Sequence, residues 1–239
     1  MKDPIVILHG WASTISGDRY KELKLLLEEK GYKVFTPDMP GFGKSKLKKD
    51  ELLFEDYIKF VKNFVSKQKL KKTILLGHSF GGRVAIRFAA EYPELVSKLI
   101  LVGASGIPRP LPSIKKKFAF YATKISRPIF IIPPFSFFYK FFRKLVYYAI
   151  GEMDYYKAGK LSKTFQNVYK ISIVENLSKI SKPVLIVWGE NDTITPLKDG
   201  KIMHEKIKGS KLVIIPKATH RLPYENPNAF VKEIIKFLR

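Results

Sequence analysis

The chain contains no cysteine. That excludes a disulfide framework, thiolate chemistry and cysteine-ligated metal, and it fits a reducing, cytoplasmic setting. Acidic residues are scarce beside basic ones, 21 against 44, which leaves a formal charge of +23. Such an excess attracts anions of any kind, including nucleic acid, acidic lipid headgroups and acidic proteins. Most of the cations are lysine, however, and lysines spread over helix faces usually form a solvated surface. Long apolar runs are also missing. The run Ile5–Leu8 is too short for the core of a secretion signal, and the stretch around Phe130–Tyr139 is broken by Pro133 and Pro134. Neither can span a bilayer, so a soluble protein is expected. There are no internal repeats and no low-complexity linkers.

What is present is a chain of 239 residues, 46% of them apolar. This suffices for one sizeable core and is short for two independent domains. Apolar runs predict strands at Ile5–Leu8, Lys33–Thr36, Thr73–Leu76, Lys98–Val102, Val184–Trp188 and Leu212–Ile215. Helical spacing fills the intervals, with helices at Tyr20–Lys30, Phe54–Lys67, Phe80–Tyr92, Leu197–Ile207 and Asn226–Leu238. Nearly continuous apolar strands alternating with helices imply an α/β fold. Its mostly parallel sheet has about six strands and is covered by helices on both faces. Residues 105–177 break the alternation. They are dense in aromatics, such as Phe118, Phe135, Phe138, Phe141 and Tyr148, punctuated by lysine and arginine. The expected organisation is therefore an α/β core at 1–104 and 178–239, with a helical cap inserted at 105–177.

Gly77-His78-Ser79-Phe80-Gly81 has the pattern G-x-S-x-G. A random chain of this composition shows it about one time in seventeen, so context must decide. Here a strand precedes it and a helix follows. A serine at such a turn is forced into a strained backbone, needs glycine neighbours, and projects its hydroxyl beyond the carboxyl edge of the sheet. The following helix N-terminus favours developing negative charge. The bland alternative is an N-cap serine in a glycine-rich turn.

A serine nucleophile needs a base, and there are only four histidines. His220 follows the last strand at the same edge. His204 sits within a helix, His9 is better placed to brace its own loop, and the side chain of His78 is expected to point away from that of Ser79. Asp192, just past strand Val184–Trp188, is the candidate to orient His220, with Glu190 as the fallback acid. The backbone N–H groups of Phe80 and Trp11 are the expected oxyanion donors, with Gly10 permitting close approach. His9, Gly10 and His78, adjoining the two glycine turns, are candidate substrate-pocket residues.

With these residues identified, the chain resembles α/β-hydrolase-fold proteins over nearly its whole length. The resemblance is carried by HGW at 9–11, DMPGFGKS at 38–45, GHSFGG at 77–82, WGENDTITP at 188–196 and ATHRLPYENP at 218–227, with DYYKAGKLSKTF at 154–165 similar to capped members. It implies a triad carried onto Ser79, Asp192 and His220, and an oxyanion hole on Trp11 and Phe80. It also implies that Asp38 and Gly41–Ser45 form a tight turn without a catalytic part. Two departures stand out. No antiparallel hairpin precedes the first parallel strand, so the sheet edge is expected to be exposed or covered by a partner. Thr219 also stands where glycine commonly precedes the histidine.

The expected activity is hydrolysis of carboxylic esters through an acyl-enzyme, with no metal or organic cofactor. An acyl-carrier-protein methyl esterase or thioesterase is the alternative, since HGW and a basic aromatic cap resemble that subgroup, whose partner protein is acidic. A further alternative is a basic membrane- or nucleic-acid-binding protein with a vestigial site. The expected partners are a small ester or acyl substrate and an acidic carrier or anionic interface, with no specific nucleic acid.

Overall fold

The computed structural model describes residues 2–11, 16–45, 51–108 and 161–239, together with 138, 141, 144, 145 and 148. Six strands form one sheet: β1 (Ile5–Leu8), β2 (Val34–Phe35), β3 (Thr73–His78), β4 (Val96–Val102), β5 (Val184–Gly189) and β6 (Lys211–Ile215). Their order is β2-β1-β3-β4-β5-β6, and every neighbouring pair is parallel. Residues of β1, β3 and β5 are buried throughout, which is why these strands read as unbroken apolar runs with no alternation.

Among the described residues, the five helices that the spacing predicted are present within a few residues, and others join them. They are α1 (Lys21–Glu29), α2 (Phe54–Lys67), α3 (Phe80–Glu91), α4 (Ser162–Tyr169), α5 (Val174–Leu177), α6 (Leu197–Lys206), α7 (Leu222–Glu225) and α8 (Pro227–Leu238). A 3₁₀ turn at Gly17–Tyr20 leads into α1. Helix α1 packs with α8 and α2 packs with α3. α8 starts on a built cap: the Asn226 side chain accepts from the Ala229 N–H, and Pro227 occupies the first turn, where a missing N–H costs nothing. Its inner face buries Phe230 and Ile234 completely. Truncating Phe230 to Ala would cost roughly 3–5 kcal/mol.

The topology places the site. From β1 the chain moves outward to β2, returns to pair β3 beside β1, and then proceeds the other way to β4. In open parallel sheets the crevice for ligands lies outside the carboxyl ends of the strands at this switch point. The residues there are His9–Trp11 after β1 and Ser79 after β3. The Asp38–Ser45 segment is a turn, as expected. Gly41 N–H donates to Ser45 C=O and Ser45 N–H to Phe42 C=O, while the Asp38 carboxylate accepts from Gly17 N–H (2.6 Å) and Lys44 N–H (2.8 Å). Of the predicted cap, the described helical portion is α4, α5 and the isolated positions 138, 141, 144, 145 and 148, where Phe138, Phe141 and Tyr148 are exposed; the rest of its aromatic middle lies outside the described residues.

Candidate active site

Ser79 joins β3 to α3 with φ 53° and ψ −115°, a conformation that side chains other than glycine rarely adopt. Strain of this kind is of order 1–3 kcal/mol and persists only where the surroundings over-determine it. Here they do. Ser79 N–H donates to Val102 C=O, and Ser79 C=O accepts from the N–H groups of Gly82, Arg83 and Ser105. Gly81 must lack a side chain because a Cβ there would strike the Leu8 carbonyl. The Ser79 hydroxyl does not cap α3, so the N-cap alternative is not what this turn does. Ser79 is buried but for 8% of its surface.

Asp192 and His220 meet across the loops after β5 and β6. His220 Nδ1 lies 2.8 Å from Asp192 Oδ2. A carboxylate only accepts, so Nδ1 carries the proton and the neutral ring leaves Nε2 bare. The other carboxylate oxygen accepts from the N–H groups of Ile194 (2.9 Å) and Thr195 (2.8 Å). Burial alone would push the Asp192 carboxyl up; the His220 ring and the Thr195 donors outweigh it and hold the group below its usual range. Gly103, at the end of β4, forms the floor. With φ +48°, a Cβ at that position would sit 3.0 Å from both Asp192 Oδ2 and His220 Nδ1. Glu190 is exposed and accepts from Lys217 N–H, so it is not the partner of His220.

The loop after β1 reaches the same place. A Cβ on Gly10 would lie 3.3 Å from Ser79 Cβ. Met39 N–H donates to His9 Nε2 (2.9 Å), which puts the ring proton on Nδ1, and Nδ1–H donates to Gly10 C=O (2.8 Å). In a trans peptide the N–H points opposite to the carbonyl, so the Trp11 N–H is turned away from the His9 ring. Phe80 N–H opens α3 and is one of the first N–H groups of a helix, which have no acceptor within it. The Trp11 ring meets Phe42, Phe80 and Phe165 edge-to-face at 5.0–5.2 Å. Helix α4 therefore packs through Phe165 on the Trp11 indole.

The pocket assignment of His9 and His78 requires correction. Both rings are closed to solvent, at 0% and 2% exposure, and both are committed to hydrogen bonds. Burial first, and the His220 ring second, push His78 down to about 3; burial lowers His9 as well. These are neutral braces behind the site. Two contributors were missed. Thr195 touches Asp192, His220 and Gly103 C=O through its hydroxyl at 2.8, 3.0 and 3.1 Å. It lies in the WGENDTITP stretch, three residues after the acid, where a side chain bonding its neighbour was the available signal. Tyr20, fully buried, had no local signal. Thr219 uses its hydroxyl on Glu225 and accepts from Arg221 N–H, which shapes the loop without glycine. Among the described residues no group of three metal-ligating side chains occurs.

Comparison with known proteins agrees with this fold. The family model described as serine aminopeptidase, S33, matches residues 1–227. The 2-hydroxy-6-oxo-6-phenylhexa-2,4-dienoate hydrolase of Burkholderia cepacia is 26% identical, over 99% of this chain and 87% of its own. An uncharacterized hydrolase of Bacillus subtilis, YugF, is also 26% identical, over 100% and 90%. Among solved structures, a thermophilic esterase from Thermogutta terrifontis superposes with a TM-score of 0.74 at 22% identity, covering 100% of this chain and 90% of that one. At that identity the likeness speaks for the fold alone.

Proposed function

Because the chain belongs to the serine aminopeptidase S33 family and is an α/β-hydrolase-fold hydrolase, we propose that it cleaves carboxylic esters through an acyl-enzyme on Ser79. The observation that carries this reading is the strained, uncapped Ser79 on the edge that also holds the His220–Asp192 pair. In this reading the bare Nε2 of His220 takes the Ser79 proton as Oγ attacks the ester carbonyl. The Phe80 and Trp11 N–H groups hold the oxyanion, and the edge of α3 adds its dipole. Asp192 keeps the ring in the productive tautomer and stabilises the imidazolium. The imidazolium then protonates the leaving alcohol, and His220 activates a water that releases the acid.

The insertion serves as a lid in this reading. The aromatic wall of Trp11, Phe165 and Tyr169 supports an apolar acyl site, since apolar pockets gain affinity with buried area. The high positive charge supports an acidic carrier or anionic surface as a partner. The similarity to the Burkholderia dienoate hydrolase favours a second substrate class, a dienoate cleaved at the carbon–carbon bond beside its ketone.

One panel tests these readings. Wild type and Ser79→Ala are assayed on p-nitrophenyl esters from acetyl to decanoyl and on that dienoate. The ester reading expects turnover that rises from acetyl to hexanoyl and is lost in Ser79→Ala. Turnover of the dienoate alone moves the assignment to the second class. Activity retained above a tenth in Ser79→Ala removes the serine mechanism altogether.

A further inference from the structure

Four groups from distant parts of the chain form one buried line. Gly10 N–H lies 3.3 Å from Tyr20 Oη, Tyr20 Oη lies 2.6 Å from His78 Nδ1, and His78 Nε2 lies 2.8 Å from the backbone C=O of His220. Both ends are backbone groups with fixed roles: an amide N–H only donates and a carbonyl only accepts. The carbonyl end therefore places a proton on His78 Nε2. In a neutral ring Nδ1 is then bare and accepts the Tyr20 hydroxyl proton, and the Tyr20 oxygen accepts from Gly10. Only one arrangement of protons satisfies every link. Tyr20 and His78 are both closed to solvent, so no water substitutes for a lost partner.

The two ends are the two loops whose separation matters. Gly10 precedes the Trp11 N–H, and its carbonyl is already held by His9. His220 carries the base, and its ring lies 4.8 Å from the ring of His78. We propose that Tyr20 and His78 are positioning residues that hold the oxyanion loop and the base loop at a fixed distance across the nucleophile turn. This rests on the serine-hydrolase reading above. Neither residue touches substrate; their effect reaches the reaction through the geometry of two other groups, where a misplacement of about 1 Å is enough to cost a hundredfold.

The side-chain geometry offers two half-cuts. His78→Asn keeps an acceptor where Nδ1 lies and loses the link to His220; His78→Gln keeps a donor where Nε2 lies and loses the link to Tyr20. Tyr20→Phe removes only the hydroxyl. Steady-state kinetics on the best ester, active-site titration with a fluorophosphonate and thermal unfolding are measured for each, and for Tyr20→Phe/His78→Gln. We expect kcat to fall about tenfold to a hundredfold in each single variant while KM changes less than about threefold. The double variant should fall little further than the worse single one, because both cut the same link. Unchanged kcat in a folded Tyr20→Phe, or losses that multiply in the double variant, overturns the proposal. Should the His78 variants fail to fold, Tyr20→Phe decides alone. Wild-type protein that takes no fluorophosphonate at Ser79 overturns the serine-hydrolase reading itself, a failure distinct from an active wild type with indifferent variants.

Discussion

Asp192 and Glu190 lie two residues apart in one loop, and only their hydrogen bonds tell them apart. Asp192 is buried and receives the His220 ring, whereas Glu190 is exposed and receives the Lys217 N–H. Replacing Asp192 with Asn puts an amide donor beside Nδ1 and favours the tautomer with its proton on Nε2, the wrong end for a base. We expect Asp192→Asn to lower kcat by about 10⁴-fold and Glu190→Gln to leave it within about threefold; stopped assays on the purified variants compare them directly. The reverse ranking would mean that Glu190 is the acid. The buried histidines make a separate prediction about stability. His78, with a folded value near 3 against 6.5 for the free side chain, and His9, lowered in the same direction, stay neutral where the unfolded chain takes up protons. Stability from this source is complete above about pH 6.5 and is lost as the pH falls; for His78 the loss runs toward pH 3 with a slope of about 1.4 kcal/mol per pH unit, and His9 adds a loss of the same sign. Urea unfolding should therefore give a lower free energy at pH 5 than at pH 7. The slope should flatten in His78→Gln. A slope identical in the variant would show that His78 titrates normally.

At the scale of elements, the nucleophile turn depends on how closely α3 approaches β1. In Gly81→Ala the new Cβ would meet the Leu8 carbonyl, a backbone atom that cannot retreat without moving the strand bearing the oxyanion loop. The variant should lose at least about 1–3 kcal/mol of stability and most of its activity, read by thermal unfolding and ester turnover; wild-type values in both would show that the turn relaxes easily. This element was legible in the sequence, because a glycine-flanked serine between an apolar run and a helical pattern has few other uses. The sheet was legible for a similar reason: β1, β3 and β5 are buried on both faces and their sequences are correspondingly continuous. The bracing was legible only in part: His9 reads as a brace of its own loop, and its ring does bond Gly10 C=O. A histidine beside a glycine turn reads the same whether its ring faces a pocket or the core, so His9 and His78 also stand in the sequence as pocket candidates, which their burial overturns. The line through positions 10, 20, 78 and 220 has no local spacing to betray it; it exists only after β1, β3 and β6 share a sheet.

Across the whole molecule, the dominant sequence feature that the site does not use is charge. With +23 in formal units, the protein should draw anionic substrates and surfaces toward itself, and salt should screen the attraction over a Debye length of about 8–10 Å at 0.10–0.15 M. For an ester carrying a carboxylate, kcat/KM should fall as salt is raised from about 0.02 to 0.5 M, while a neutral ester of equal length should change little. Parallel behaviour of the two would assign the lysines to solubility alone. Among the described residues, no helix is long and apolar enough to cross a membrane. Helix α4 meets the site at Trp11: Phe165 and Tyr169 stack on each other at 4.1 Å, and their rings lie 5.2 and 6.2 Å from the indole, nearly perpendicular to it. All of this converges on one atom, the Ser79 Oγ. The most direct measurement is labelling of the native protein with a fluorophosphonate, followed by peptide mapping by mass spectrometry. The account predicts one adduct, on Ser79, blocked by a competing ester and absent from a folded Ser79→Ala. An adduct on another serine, or an active enzyme that takes no label at all, would contradict it.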